Sequence, residues 1–389
     1  MMGRGEERAH GQTAGRSRPP VRRSGPEVTT RRRFLEVART AVSKAICGGA
    51  LLALGGSACS GQRASGSGTR GGPFFRTRGV VLVPDDLTLR DWPKRANTAG
   101  LTTLGIHHGA SPRVVADFVR SDRGIETLEA CRKLGLEVEY ELHAMRELLP
   151  RDLFSKDPGL FRRNEKGERT PDANLCVHSE RALEIAVENA LEISAILRPT
   201  TGRYFLWGDD GQPWCRCQDC ASLSDSDQAL VLENRLARAF RKRDAGAQVA
   251  HLAYAGTLRA PSQVKPEPGV FLEFAPLSRM HDRPFKSLAD AANRDFVEAL
   301  DANLGVFPAR TAQALEYWLD VSLQSEWRKP AKKLAFRKEI LEADLGVYGR
   351  RGVQHVTSFA VYIDAEYVAR FGEPAEIAAY GRALSAWRP

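Results

Sequence analysis

The sequence predicts an α/β protein, namely a single (β/α)8 barrel that follows an export signal and a flexible tether. From Pro73 onward, eight apolar runs end in polar or charged residues, and amphipathic stretches separate these runs. Repeated alternation of strand and helix is typical of a parallel sheet with its helices outside, and a closed barrel is the simplest such arrangement. An open doubly wound sheet is the alternative. The lack of a Gly-x-Gly-x-x-Gly motif after the first run disfavours it.

The predicted strands follow one another at intervals that leave room for a helix each time. They cover residues 79–86, 101–108, 137–143, 203–210, 248–254, 270–274, 314–320 and 354–364. The clearest helix covers 180–197, where apolar residues such as Ala182, Ile185 and Ile193 recur at helical spacing. A second helix covers 228–243 and ends in basic residues, which suit the negative end of the helix dipole.

Residues 1–59 resemble a twin-arginine export signal. Residues 31–35 read Arg-Arg-Arg-Phe-Leu, so two arginines precede a variable residue and then Phe-Leu. The apolar stretch at 45–54 is too short for a membrane span. Cys59 follows small residues and is a candidate for lipidation, which would be the only membrane attachment. The sequence therefore predicts a periplasmic or extracellular protein, with a disordered basic tail as the alternative interpretation of the leader.

The charge of the chain is divided unevenly. The whole sequence has 57 Lys/Arg and 48 Asp/Glu, and the part through Gly72 has 13 and 4 of these, which leaves 44 of each in the remainder. The pI near 9.3 therefore reflects the leader, and no nucleic-acid partner is predicted. Residues 60–72 are rich in Gly and Ser and form the predicted tether, and 73–389 form the predicted barrel. The sequence does not predict the oligomeric state.

The ends of the predicted strands are rich in acidic and aromatic residues. In a barrel these carboxyl ends meet at one mouth. Sugar C–H faces stack on aromatic rings, while carboxylates bind hydroxyls and perform acid/base work, so this mixture indicates a carbohydrate site. The residues predicted to contact the ligand there are His143, Trp207, Trp214, Tyr254, Glu273, Trp318 and Tyr362. The alternative remains open for each of them, because any large barrel places some acids at its strand ends.

Residues 204–220 contain the highest concentration of side chains that could take part in catalysis or binding. An apolar run ends in Asp209 and Asp210, and a glycine turn, Trp214 and three thiols follow. At a strand end that enters a glycine turn, both of these side chains can face one pocket. Two carboxylates held close together cannot both ionise easily, so one would retain a proton at a higher pH than usual. This division suits glycosidic hydrolysis, in which a partner carboxylate would come from another strand. The candidates for that partner are Glu316, Asp320 and Glu273. An acidic turn or a metal-binding loop is the alternative for the pair.

A series of motifs runs along the predicted barrel. They include Glu141-Leu142-His143, Asn174-Leu175-Cys176, Trp207-Gly208-Asp209-Asp210-Gly211, His251-Leu252-Ala253-Tyr254, Phe274-Ala275-Pro276 with Arg279, and Glu316-Tyr317-Trp318. The series resembles a bacterial family known as domain of unknown function 4838. That family is similar to glycoside-hydrolase barrels, distantly to hexosaminidases and α-glucuronidases. The resemblance implies a carbohydrate ligand, and it places Arg279 among the candidate binding residues.

The end of the fourth predicted strand, Gly208-Asp209-Asp210, also resembles the Asp-Asp end of the corresponding strand in O-GlcNAcase-type enzymes. That resemblance implies that Asp209 orients a substrate acetamido group and that Asp210 is the general acid.

Four thiols form a candidate metal site. Cys215, Cys217 and Cys220 lie close together in the sequence, and Cys176 belongs to a loop predicted near the same mouth. Four thiolates would complete a tetrahedral structural zinc site. Disulfides are the competing prediction, because an exported protein meets an oxidising compartment. Cys131 is predicted to be a buried apolar residue, and no organic cofactor is predicted.

Two further functions remain open at this point. The barrel could bind a carbohydrate without turning it over. It could also be a metal-dependent hydrolase in which Asp209 joins the thiols as a ligand.

Overall fold

The computed structural model describes residues 72–285 and 291–389. The predicted export signal, with Cys59, and all of the predicted tether except Gly72 lie outside the described residues. Within the described ranges, no helix is both long enough and apolar enough to cross a membrane.

Eight parallel strands close into a barrel in which each strand pairs with the next and the last pairs with the first. The strands are β1 Thr77–Leu82, β2 Thr103–His108, β3 Glu137–His143, β4 Arg203–Trp207, β5 Gln248–Ala253, β6 Val270–Phe274, β7 Gln313–Glu316 and β8 His355–Phe359. The predicted fold class is confirmed, and the open sheet is excluded. The third and sixth strands have the predicted bounds, whereas β7 and β8 end well before the predicted 320 and 364.

Helices follow the strands and pack around the barrel. They are α1 Trp92–Thr98, α2 Pro112–Arg120, α3 Asp122–Leu134, α4 Met145–Leu148, α5 Glu180–Ile196, α6 Asp225–Arg241, α7 Ala291–Leu304, α8 Val321–Gln324, α9 Lys338–Arg350, α10 Ala365–Phe371 and α11 Ala375–Ala386. The two helices singled out from the sequence are α5 and α6. Helix α6 begins three residues before the predicted start, because Ser224 and Asp227 form a capping box there.

The alternation of side chains along each strand divides the core into two layers. Val81, Phe205 and Phe271 belong to a cluster inside the barrel. Leu104 and Leu272 belong to a larger cluster between the sheet and the helices. The barrel interior formed by the described strands is therefore packed with side chains, as is usual for this fold.

A charged layer lies inside the barrel. Arg203 is buried there together with Glu139, Glu141 and Glu273. Its guanidinium carbon lies 4.0 Å from the centre of the Phe271 ring. Burial raises the pKa of each of the three glutamates, and the charge of Arg203 partly opposes this rise. These acids belong to the packed interior rather than to a surface that a ligand can reach.

Candidate active site at the barrel mouth

The carboxyl ends of the strands surround a cavity of about 400 Å³. This volume lies within the range of about 300–1,000 Å³ that is common for small-molecule sites. Six of the residues predicted from the sequence line it, namely His143, Trp207, Asp210, Tyr254, Asp320 and Tyr362. The acidic and aromatic character predicted for the mouth is therefore present in one cavity.

Asp210 follows β4 and lines the cavity. The hydroxyl of Tyr254 donates to its Oδ1 at 3.0 Å. The Nε2 atom of His143 lies 3.6 Å from the same oxygen, which is beyond hydrogen-bonding distance. The Asp210 side chain is 53% exposed, so both solvent and a ligand can reach its carboxylate.

Two histidines of the cavity wall are neutral acceptors. Nδ1 of His143 lies 2.7 Å from the carbonyl oxygen of Gly208, and Nδ1 of His107 lies 2.7 Å from that of Glu141. A carbonyl oxygen can only accept, so each Nδ1 carries the proton and each neutral ring keeps an unprotonated Nε2. Burial lowers the pKa of His143, and it lowers the pKa of His107 to about 3. Both rings can therefore accept a hydrogen bond from a ligand hydroxyl.

Asp320 is the second carboxylate that lines the cavity. It follows β7 and caps the short helix α8, because its Oδ1 accepts the backbone N–H groups of Ser322 at 2.9 Å and Leu323 at 3.3 Å. The Ser322 hydroxyl donates to the same oxygen at 2.6 Å. Burial raises the pKa of Asp320 to about 6, and these hydrogen bonds oppose the rise. The cap also explains why strand pairing does not continue to residue 320.

Asp209 does not line this cavity. Its Oδ2 lies 2.5 Å from Nη2 of Arg151 and accepts the backbone N–H of Asn174 at 2.7 Å. Asp209 and Trp214 both line a separate pocket of about 30 Å³. The expectation that both acids of the pair face one pocket is not met, because adjacent side chains leave a strand end in different directions. Asp209 instead ties the segment that carries Arg151 and Asn174 to the end of β4.

Glu316, Arg279 and Trp318 lie in a buried ionic network instead of lining the cavity. Nη2 of Arg279 lies 3.2 Å from Oε2 of Glu316 and 2.7 Å from Oδ2 of Asp344. The indole N–H of Trp318 donates to Asp344 at 3.1 Å, and the Tyr348 hydroxyl donates to Glu316 at 2.6 Å. These contacts join β7 to helix α9, so this group has a structural role.

The alternation of side chains explains this outcome. Leu315 and Tyr317 line the cavity, so Glu316 and Trp318, which alternate with them, face the opposite side. Tyr317 lies at the mouth, as its place at the end of the seventh predicted strand implies, although it is not among the residues predicted to contact the ligand. Glu273 belongs to the charged layer inside the barrel, where Gln313 donates to it at 3.3 Å.

Trp327 also lines the cavity, and the sequence analysis missed it. It lies in the turn after α8, beyond the end of the seventh strand. No periodic pattern covers this turn, and only the path of the chain brings the indole to the mouth. A lone tryptophan in a polar stretch is the sole signal in the sequence that could have indicated it.

The four predicted thiols lie together. The Sγ atoms of Cys176, Cys215, Cys217 and Cys220 all lie within 4.8 Å of one another, and all four residues are buried. Sγ of Cys176 lies 3.8 Å from that of Cys217 and 3.9 Å from that of Cys220. These distances are far from the roughly 2.05 Å of a disulfide bond. Each of these cysteines is a free thiol, as is the buried Cys131. The arrangement is compatible with metal binding.

The family described as Domain of unknown function (DUF4838) matches residues 116–307 of this chain. This region of the chain is similar to that family. The resemblance predicted from the motifs is thereby confirmed. The match includes His143, Asp210, Tyr254 and the four clustered thiols, and it ends before Asp320. No curated protein has a sequence that matches this chain.

Several solved barrels are similar in fold. A GH42 β-galactosidase from G. stearothermophilus, Gan42B, has 11% sequence identity and a TM-score of 0.51, and the match covers 80% of this chain and 57% of that chain. The exo-β-1,4-mannosidase Op5Man5 from Opitutaceae bacterium strain TAV5 has 13% identity and a TM-score of 0.43, with 80% and 60% covered. This chain therefore spans less than two thirds of the length of either protein. Identities this low show a common fold alone.

Proposed function

We propose that this protein hydrolyses a glycosidic bond, with Asp210 and Asp320 as the two catalytic carboxylates. The observation that carries the proposal is that both acids line one aromatic cavity while their surroundings differ. Pairs of carboxylates held in different environments can divide the roles of proton donor and charged partner. Of the three partners considered from the sequence, Asp320 is the one that lines this cavity.

Asp210 is assigned the role of general acid. Its side chain is half exposed, so solvent can return a proton to it after each transfer to a leaving oxygen. This assignment agrees with the role implied by the resemblance to O-GlcNAcase-type enzymes. Nε2 of His143 lies beside its Oδ1 and can accept a hydrogen bond from a hydroxyl of the bound sugar.

Asp320 is assigned the role of base or nucleophile. Three hydrogen bonds hold its Oδ1, which fixes the carboxylate while Oδ2 makes none of these bonds. A pKa of about 6 makes it a stronger base than an ordinary aspartate, yet it is still mainly ionised at neutral pH. The aromatic side chains of Tyr254, Tyr317 and Tyr362 supply the surfaces on which a sugar ring can stack.

Turnover of a panel of aryl glycosides by the purified chain from Pro73 onward tests the proposal. The panel includes N-acetylglucosaminides, glucuronides, galactosides and mannosides, and Asp210→Asn is assayed beside the unmutated protein. We expect one glycoside to be cleaved, and we expect this cleavage to be lost in the variant. If no glycoside of the panel is cleaved but calorimetry still detects glycan binding, the result would instead support the non-catalytic carbohydrate-binding barrel.

The four clustered thiols are assigned to a structural zinc ion. A tetrahedral ion with Zn–S bonds of about 2.3 Å places its sulfur ligands about 3.8 Å apart. The sulfur–sulfur distances from Cys176 to Cys217 and to Cys220, 3.8 and 3.9 Å, agree with this value. Backbone N–H groups of Arg163 and Cys217 point at Sγ of Cys215, at 3.3 and 3.5 Å, and would stabilise a thiolate.

A catalytic metal has no comparable support. Four thiolates leave a tetrahedral ion without an open position for water. The group of possible ligands also does not include Asp209, whose carboxylate is engaged by Arg151 and Asn174. The expected result is one zinc ion per purified chain, and hydrolysis that continues in folded protein from which the metal has been removed.

Export by the twin-arginine route is a further proposal, supported by the sequence pattern at residues 31–35. This route carries folded proteins, so the zinc ion would be bound in the cytoplasm before export. Replacing Arg31 and Arg32 together by Lys is expected to retain the protein in the cytoplasm. Unchanged export of that variant would contradict the proposal, and fractionation of the cells measures it.

A further inference from the structure

Trp327 is the most exposed large apolar side chain among the described residues. It is 61% exposed, yet it lines the cavity that contains Asp210 and Asp320. A buried tryptophan stabilises the core, whereas one that lies in solvent at the edge of a cavity contributes little to folding. Its position therefore requires another explanation.

The backbone that presents this indole adopts a rare conformation. Glu326 and Trp327 are consecutive residues with φ of 55° and 54°, in the left-handed region that few side chains other than glycine enter. Such residues persist where the surroundings hold them, and they concentrate at functional sites. Here the backbone N–H of Trp327 donates to the Ser322 carbonyl at 2.7 Å, and Nζ of Lys332 lies 2.9 Å from the Glu326 carboxylate.

The same hydrogen bonds connect Trp327 to Asp320, the proposed base or nucleophile. The Ser322 N–H donates to Asp320, and the Ser322 carbonyl accepts the N–H of Trp327. One turn of chain thus fixes both the carboxylate and the indole. The position of a ring stacked on Trp327 would consequently be set relative to the reacting carboxylate.

A second aromatic residue at the same mouth is held in a similar way. Tyr362 has φ of 72°, lines the cavity, and donates its backbone N–H to the buried carboxylate of Asp86 at 2.8 Å. Nζ of Lys329, from the segment just after Trp327, lies 5.4 Å from the centre of the Tyr362 ring. Two constrained aromatic side chains therefore occur at one cavity, on the segments that follow β7 and β8.

We propose that Trp327 is the stacking platform of a second sugar subsite at the rim, so that the ligand extends beyond the cavity by at least one sugar ring. This inference rests on the proposed function in taking the ligand to be a carbohydrate. The ring that reacts lies in the cavity between Asp210 and Asp320. The next ring lies against the exposed indole, which offers a flat apolar surface to its C–H face.

Fluorescence provides a direct measurement, because the other tryptophans are buried or partly buried. The chain has six tryptophans. Four are buried, namely Trp92, Trp207, Trp214 and Trp318. Trp387 packs against Phe74 and Phe75. Quenching by iodide should therefore report mainly on Trp327, and Trp327→Ala should lose most of the quenchable signal.

The probes are mannose, galactose, glucose and N-acetylglucosamine, each compared with its β-1,4-linked trimer and bound to Asp210→Asn protein to prevent hydrolysis. We expect one trimer to protect the fluorescence from iodide while its monosaccharide does not. By calorimetry, adding Trp327→Ala should weaken binding of that trimer about tenfold, and Trp327→Phe should restore most of it. Ile125→Ala, on the exposed surface of α3, is the matched control and should bind as tightly as the parent.

Failure of this inference can be distinguished from failure of the proposed function. Cleavage of an aryl monosaccharide without protection by any trimer would overturn the platform and leave hydrolysis in place. Protection by a trimer without any turnover would support the platform and overturn hydrolysis. Equal affinity of the trimer for the Trp327→Ala variant and its parent would also overturn the platform.

Discussion

Two pairs of carboxylates, Asp209 with Asp210 and Glu316 with Asp320, lie close together along the chain, and the two members of each pair have different surroundings. Asp210 and Asp320 line the cavity, whereas Asp209 and Glu316 do not. Asp209 is bound by Arg151 and Asn174, and Glu316 is bound by Arg279 and Tyr348. Both oxygens of Glu316 are bonded within the protein, and Asp209 has a cationic partner at 2.5 Å.

The two carboxylates that line the cavity, in contrast, make these contacts through only one of their two oxygens. The contacts of Asp210 with Tyr254 and His143 involve Oδ1 alone, and the hydrogen bonds of Asp320 also involve Oδ1 alone. A carboxylate paired with a buried cation is needed by the fold, because removing it would leave the cation buried without a partner. A carboxylate with a free oxygen at a cavity can bind or react with a ligand. Burial and a raised pKa therefore do not by themselves identify a reactive acid.

The largest expected effects are on the rate of hydrolysis. Asp210→Asn should lower kcat/KM by about 10²–10⁴-fold on glycosides with poor leaving groups, because the amide cannot donate the proton. The loss should be much smaller on a dinitrophenyl glycoside, whose leaving group needs no proton. Asp320→Asn should be slow on both substrates. If Asp320→Asn, and not Asp210→Asn, is slow only on glycosides with poor leaving groups, then Asp320 is the general acid and Asp210 the base or nucleophile.

The second-largest effect should be on the free energy of unfolding, in a variant of a carboxylate that does not line the cavity. Glu316→Ala removes one partner of the buried Arg279, so we expect the free energy of unfolding to fall by about 3 kcal/mol. Asp210→Asn is the matched control and should change it by less than about 0.5 kcal/mol, because its side chain is half exposed. Urea unfolding measures both. Equal losses in the two variants would contradict the division into structural and reactive carboxylates.

Loss of the metal should lower the stability by a smaller amount, and only variants of the four clustered cysteines should show this loss. Cys217→Ser removes one of the four predicted ligands, so the variant should purify with less zinc and lose about 2 kcal/mol of stability. Cys131→Ala removes a buried thiol outside the cluster, so this variant should purify with the same zinc content as the unmutated protein. Zinc content and the melting temperature are the measurements. A full zinc content in Cys217→Ser would sink the four-thiolate site.

The smallest expected effect is a shift in the pH profile. The pKa of Asp320 is raised to about 6 and the proposed base must be ionised, so kcat/KM should fall about tenfold per unit as pH drops below about 6. The Ser322 hydroxyl stabilises the ionised form, so Ser322→Ala should raise this pKa and move the acidic limb to higher pH by about one unit. Movement of the limb to lower pH would contradict the assignment.

Much of the fold could be predicted from the sequence. The periodic apolar runs determine the strands and helices locally, and repeated alternation leaves few arrangements other than a barrel. The acidic, aromatic mouth also follows, because carboxyl ends of parallel strands meet at one edge. The clustering of Cys215, Cys217 and Cys220 was predictable for the same local reason, since the chain itself brings them together.

Which of the acidic residues line the cavity depended on the tertiary structure. Asp209 and Asp210 are adjacent and chemically alike, and only the position of Arg151, more than fifty residues earlier, shows which of them is paired. Likewise, the cap of α8 directs Asp320, and two left-handed residues direct Trp327. Sequence periodicity describes regular strands and helices, but it does not describe the turns after them. Long-range contacts determine the direction of side chains in those turns, and these contacts exist only once the barrel has closed.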